Sequence, residues 1–162
     1  MGFATGYVAV RDLSQEEILT RLGAALGDAV KEPFLSAAPT ALSLAENGWT
    51  VIADSANELW HSSERLAPLS KGTVLVTAFM EEHVMYAHAE LHDNVWQVVS
   101  DSGENPQITS QGTPPADLPG LIEEGVDYHF EVPFKLVTEA TGGVVDGGFP
   151  WPEGGFRELL FR

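Results

Sequence analysis

Acidic and imidazole side chains are concentrated between Gly72 and Ser102, a stretch predicted to form three consecutive β-strands. Glu81-Glu82-His83 lies where the first two strands should meet. A carboxylate beside an imidazole can transfer protons or supply part of a metal site. Neighbouring residues on a strand point to opposite faces, so these three side chains cannot all converge. The favoured interpretation is a charged turn in which one Glu caps a backbone amide and His83 is partly buried.

Three further residues of ligand type, His88, Glu90 and His92, share one face of the following strand, because alternate side chains on a strand point the same way. Such a face can bind zinc with water as the fourth ligand. A solvated strand face explains the same spacing and is the favoured interpretation. The chain also has no cysteine, no glycine-rich nucleotide loop and no nucleophile elbow. The sequence therefore predicts no catalytic residue, no bound metal and no cofactor.

The charge balance is the strongest compositional feature. The 162 residues carry 24 acidic and 8 basic side chains, for a formal net charge of −16. Between Lys71 and Lys135 there is no Lys or Arg, and that interval holds 11 acids. Such a surface repels nucleic acid and anionic lipid and attracts a basic protein, although acidity also serves solubility alone. The predicted binding residues lie in or beside the central stretch: Glu81, Glu82, His83, Glu90, Asp93, Asp101 and Glu104.

An α+β fold is predicted to position these residues, with a mostly antiparallel sheet of about six strands and three to four helices. Residues 5–11 alternate like a strand. Ser14 followed by two glutamates and helically spaced apolar residues predicts a helix over about 14–26, ended by Gly27. Asn47-Gly48 between two apolar runs is a strong hairpin signal, because both residues tolerate the positive φ of a two-residue type I′ turn. A second hairpin is expected across residues 92–94.

The remaining chain is expected to complete one domain over residues 1–141. Residues 102–119 read as a long loop with a short edge strand at 107–110, and further helices are predicted at 118–126 and 133–141. Residues 142–162 form a Gly/Pro/aromatic tail, of which the part from Gly142 to Gly155 cannot hold regular structure for long. A free tail would expose an apolar patch, so it is expected to dock on the domain or on a partner.

The two hairpins resemble each other at an offset of 47 residues, Asn47–Ser55 lying over Asn94–Ser102 with five identical positions. Gly6–Val10 likewise resembles Gly72–Val76. This pattern predicts two similar units, each a lead strand followed by a hairpin. Shared turn chemistry among hairpins is the alternative explanation.

Three segments carry a resemblance to a known family: Glu81-Glu82-His83-Val84-Met85, Trp96-Gln97-Val98-Val99 and Asp127–Pro133. Over roughly residues 5–141, the chain resembles a family of small uncharacterised bacterial proteins with the same Glu-Glu-His-Val-Met element and a following Trp-containing strand. Members continue with a His-Asp pair, where this chain has Ser100-Asp101. The resemblance implies a shared fold and no particular activity.

Taken together, these patterns predict a cytoplasmic, non-enzymatic acidic binding protein of the immunity or antitoxin type, whose partner is a basic, toxin-like protein. No apolar run approaches the roughly 20 residues of a membrane helix, and no signal peptide is visible. Two alternatives stay open. One is a small metal-dependent or acid–base enzyme that uses His83 or the His88/Glu90/His92 face. The other is a structural module that self-assembles through its C-terminal tail into a homo-oligomer.

Overall fold

The computed structural model describes residues 4–35, 38–43, 48–59, 62–81, 86–91, 96–101, 107–112 and 155–162. Within these residues the fold is α+β. Its elements are β1 (Ala4–Arg11), α1 (Gln15–Leu22), β2 (Ala24–Val30), β3 (Ala41–Ser43), β4 (Trp49–Ala53), α2 (Ser63–Ser70), β5 (Leu75–Glu81), β6 (Tyr86–Leu91), β7 (Trp96–Asp101), β8 (Gln107–Gly112) and β9 (Phe156–Phe161).

The strands form one antiparallel sheet. Six of them lie in the order β2-β9-β3-β4-β1-β5, and β6, β7 and β8 continue the sheet from β5 in chain order. The predicted α+β class and antiparallel sheet are therefore confirmed. The described residues contain two helices, α1 within the predicted range 14–26 and α2, and the helices expected at 118–126 and 133–141 lie outside them.

The hydrophobic core on one face of the sheet lies beneath the two helices. Period-two alternation sends Val8, Ile52 and Leu75 to that face, where they pack with Ile18 of α1 and Leu66 of α2. All five side chains are buried. Fully burying side chains of this size contributes about 1.5–3 kcal/mol each, so this cluster gives the described part of the sheet substantial hydrophobic support.

The opposite face is buried as well. Tyr7, Val51 and Val76 alternate with the residues that face the helices, and each is almost fully inaccessible to solvent. Phe34 packs edge-on against Tyr7, with ring centroids 6.4 Å apart, and against Phe156, at 5.7 Å. Burial on both faces explains why these strands read as nearly continuous apolar runs.

Helix α1 begins as predicted but ends earlier. The Ser14 side chain accepts a hydrogen bond from the Glu17 amide at 3.1 Å, which caps the helix. The helix ends at Gly23, whose φ of 64° suits glycine, and not at Gly27. Residues 24–30 then form β2, so the prediction of a helix to residue 26 was wrong. Pairing with β9, a strand distant in sequence, overrides the local helical spacing.

Helix α2 is tied to α1 through one side chain. Arg21 Nη1 donates hydrogen bonds to the carbonyls of Pro68, Leu69 and Lys71, at 3.3, 3.4 and 2.7 Å. These carbonyls end α2 and have few partners within the helix. A guanidinium at this position satisfies them and complements the negative end of the helix dipole.

Both predicted hairpins are present, but the first has a different register. A two-residue turn at Asn47-Gly48 would place Leu42 opposite Ala53, whereas Leu42 lies opposite Ile52. The connection therefore contains an odd number of residues. Gly48 has the positive φ expected of a turn residue, 84°, and Asn47 lies outside the described residues. In the second hairpin β6 pairs with β7.

The last strand of the chain inserts between two strands that precede it in the sequence. Strand β9, within the predicted tail, lies between β2 and β3 and pairs with both. The rest of the tail lies outside the described residues apart from residue 155 and the end of the chain. Neither α1 nor α2, the helices that the structure describes, has the length and apolar character needed to cross a membrane.

Candidate functional site

Three of the predicted binding residues lie on neighbouring strands at the β5–β8 side of the sheet. Glu81 of β5 is opposite Tyr86 of β6, and Tyr86 is opposite Asp101 of β7. Because adjacent strands are about 4.8 Å apart, the Glu81 and Asp101 backbones are roughly 10 Å apart in one row. Glu90 lies four residues from Tyr86 along β6, about 13 Å away.

The structure therefore brings Glu81 and Asp101 into one row and leaves Glu90 apart. Glu82, His83, Asp93 and Glu104 lie outside the described residues, so the predicted seven-residue binding surface is placed only in part. The β5–β8 strands nevertheless share one property: their residues include these three acids and no Lys or Arg. This acidic strand set is defined as Glu81, Glu90 and Asp101.

The predicted metal-binding face is also placed in part. His88 lies opposite Phe79 and Val99, two residues before Glu90 on β6, whereas His92 lies outside the described residues. In the part of the chain that the structure describes, no group of three or more His, Cys, Asp or Glu side chains is placed to hold a metal ion.

A cleft that sequence reasoning missed lies at the end of β9. Pairing of β9 with β3 covers only Phe156–Glu158, whereas pairing with β2 continues to Phe161. The notch left beside the last residues of β9 has a volume of about 280 Å³. We call it the β9 cleft; it is lined by Pro39, Thr40, Ala56, Glu58, Glu158, Leu159, Leu160 and Phe161.

A buried carboxylate shapes the turn that carries Glu58 into the β9 cleft. Asp54 is inaccessible to solvent, and its oxygens accept hydrogen bonds from the amides of Glu58, at 2.9 Å, and Leu59, at 3.0 Å. The Thr40 hydroxyl lies 3.3 Å from Asp54 Oδ1 and 3.0 Å from Glu58 Oε2, so it links the two carboxylates. This network orients the Glu58 side chain before any ligand arrives.

The apolar wall of the cleft already holds one cation. The Arg65 guanidinium lies 4.1 Å from the centre of the Phe161 ring, a cation–π contact. Arg65 Nη1 donates to the Glu58 backbone carbonyl at 3.1 Å, not to its carboxylate. Leu160 is 45% exposed, which is unusual for a leucine in a paired strand. The cleft thus joins a solvated apolar surface to charged groups.

Two carboxylates of the β9 cleft, those of Glu58 and Glu158, lack an ion-pair partner in the part of the chain that the structure describes. Within the described residues, no Lys or Arg forms an ion pair with the carboxylate of Glu58 or Glu158. Glu58 is exposed and Glu158 is half-buried, so both can reach an incoming group. Chemically the cleft can hold a cation with an apolar stem.

No sequence pattern points to this cleft, because its residues come from segments around 39–40, 56–58 and 158–161 that only the fold joins. The usable signal was the apolar character of the tail, which predicts docking but not a partner strand.

Comparisons of the chain with protein-family models, with curated proteins and with solved structures found no match.

Proposed function

We propose that this protein is a non-enzymatic acidic binding protein of the immunity or antitoxin type, which covers a basic surface of a protein partner. The observation that carries the proposal is the acidic strand set: β5–β8 hold Glu81, Glu90 and Asp101 and no Lys or Arg. These strands are consecutive at one end of the sheet order, so the three acidic residues lie on one flank of the sheet.

The physical basis is long-range attraction. Uncompensated acids on one flank create a negative potential that steers a basic protein and speeds its association. The same potential disfavours nucleic acid and anionic membranes. The protein has a net charge of −16, so its acidic groups repel one another. A basic partner would neutralise part of this charge and so stabilise the folded protein.

The two similar strand-plus-hairpin units belong to this proposal as an account of how the surface arose. In the first unit the lead strand β1 lies beside β4, the second hairpin strand. In the second, β5 lies beside β6, the first hairpin strand. A duplicated unit that gained this different pairing would extend the sheet outward and leave the acidic hairpin on its flank.

The test uses affinity capture from a lysate of the source organism at low and high salt, followed by reconstitution with the purified basic protein. The variant Glu81→Gln/Glu90→Gln/Asp101→Asn removes the acidic strand set. The matched control Glu16→Gln/Glu17→Gln/Asp28→Asn removes three exposed charges elsewhere. We expect the first variant to slow association and to weaken binding tenfold or more, because complementary charges set the on-rate.

Equal weakening by the control variant would mean that only total charge matters, which contradicts a defined binding surface. Failure to recover any basic partner at either salt concentration would also count against the proposal.

A further inference from the structure

We infer that the β9 cleft binds a basic side chain, a lysine or arginine, of the protein partner. This inference rests on the proposed function and adds a second, structurally defined contact on a different part of the sheet from the acidic strand set. The cleft lies beside β9, whereas Glu81, Glu90 and Asp101 lie on β5–β7.

The volume of the cleft is large enough for one long side chain. Its volume of about 280 Å³ is at or below the lower limit of pockets for small-molecule ligands, roughly 300–1,000 Å³. One long side chain fits within such a space. An open notch at the end of a sheet also admits a side chain from a folded protein without any rearrangement.

The chemistry of the walls matches a basic side chain in both of its parts. Leu160 and Phe161 offer apolar surface to the methylene stem, which lysine and arginine bury readily. Glu58 and Glu158 offer carboxylates to the charged head, and neither has a cationic partner among the described residues. Charge complementarity therefore favours a cation over a neutral apolar group.

The Glu58 carboxylate is held in place. Its hydrogen bond from the buried Thr40 hydroxyl and the Asp54 anchor fix the turn, so little side-chain entropy is lost when a cation binds. Arg65 stacks on Phe161, a residue that lines the cleft, and is a cation close to the site. Its guanidinium places positive charge near the cleft, so removing that charge should strengthen the binding of a basic group.

The experiment is an NMR titration of the ¹⁵N-labelled full chain with a blocked glycine pentapeptide that carries one central lysine. The comparison peptide carries norleucine, which keeps the stem and lacks the charge. We expect saturable shifts of the Glu158, Leu160 and Phe161 amides with the lysine peptide, and at least tenfold weaker binding of the norleucine peptide, because its stem cannot pair with the carboxylates.

Three variants sharpen the result. Glu58→Gln/Glu158→Gln should weaken lysine-peptide binding about tenfold, since a charge-assisted contact is lost. The matched control Glu16→Gln/Glu17→Gln, with the same charge change on α1, should bind like the wild type. Arg65→Met keeps packing against the ring but removes the resident cation, and should bind roughly two- to fivefold tighter.

The inference is overturned if the lysine peptide shifts none of these amides, if norleucine binds equally well, or if the control variant weakens binding as much as the cleft variant. The proposed function then depends only on the acidic strand set and its own variants. Conversely, if the lysine peptide binds in the cleft but no basic partner is recovered, the cleft assignment stands and the immunity-type function fails.

Discussion

The contact between β1 and β5 makes a specific demand on residue 6. Gly6 lies opposite Phe79 in this ladder, in the middle of the sheet. A Cβ atom added to Gly6 would lie 2.7 Å from the Ala78 carbonyl oxygen and 3.3 Å from Phe79 Cα. Both obstacles are backbone atoms of a strand that is itself paired on both sides. They cannot rotate away, so β1 and β5 must separate by several tenths of an ångström.

The expected cost of Gly6→Ala follows from this geometry. Overpacking of a tightly packed core lowers the free energy of unfolding by about 1–3 kcal/mol. Replacing glycine by alanine also lowers the entropy of the unfolded chain, which raises the free energy of unfolding by about 0.4–1 kcal/mol. The chain offers a matched control in Gly27. There an added Cβ meets only side-chain atoms, of Glu158 and Leu160, at 3.3–3.4 Å. Leu160 Cδ1 and the Glu158 carboxylate can rotate away, and Glu158 Cβ at 3.3 Å needs to shift by only a few tenths of an ångström, so Gly27→Ala should stay within about 1 kcal/mol of the wild type.

Thermal and urea unfolding followed by circular dichroism test this pair. We expect the free energy of unfolding of Gly6→Ala to lie about 2 kcal/mol below that of Gly27→Ala. For a chain of this size that difference corresponds to roughly 4–8 °C in melting temperature. If Gly6→Ala melts at or above Gly27→Ala, the close approach of β1 and β5 at Gly6 is wrong.

Three other substitutions probe the supports of the fold. Asp54→Asn should lower the free energy of unfolding by about 1.5–3 kcal/mol in urea titrations, because its amide nitrogen cannot accept the Leu59 amide; an unchanged midpoint would contradict this network. Arg21→Met should cost about 1 kcal/mol, and less in high salt, because the carbonyls that end α2 lose a charged donor; thermal unfolding at two salt concentrations measures it. Ser14→Ala should cost about 1 kcal/mol through loss of the α1 cap, with faster amide exchange in the first turn of α1 as the local readout.

Local signals in the sequence were enough to predict the elements whose causes are local. Ser14 and the acids after it predict the start of α1, because a cap depends on residues three positions apart. The alternation in residues 5–11 predicts β1, since burial on the sheet has a period of two. The pairing of β6 with β7 follows from two apolar runs close in sequence.

Features that depend on distant partners were beyond the sequence. Ala25 and Leu26 fit a helical stripe as well as a strand, and only pairing with β9 decides between them. The register of the first hairpin is set by its neighbours β1 and β9, and the signal of Asn47-Gly48 alone gave the wrong one. The β9 cleft was missed for the same reason, since Glu58 and Glu158 line one cleft only when the sheet is assembled. The sequence was enough to identify the acidic residues of the predicted binding surface, but not to predict how the fold arranges them.

The position of β9 has a consequence for biosynthesis. Arg157 and Gly27, joined by a hydrogen bond, are 130 residues apart in the chain, and in the described sheet β2 has no strand neighbour other than β9. During translation β2 therefore stays without this partner until β9, about 130 residues later in the chain, has been synthesised. At about 5–20 residues per second, the edge of β2 therefore stays open for several seconds or longer before β9 can cover it.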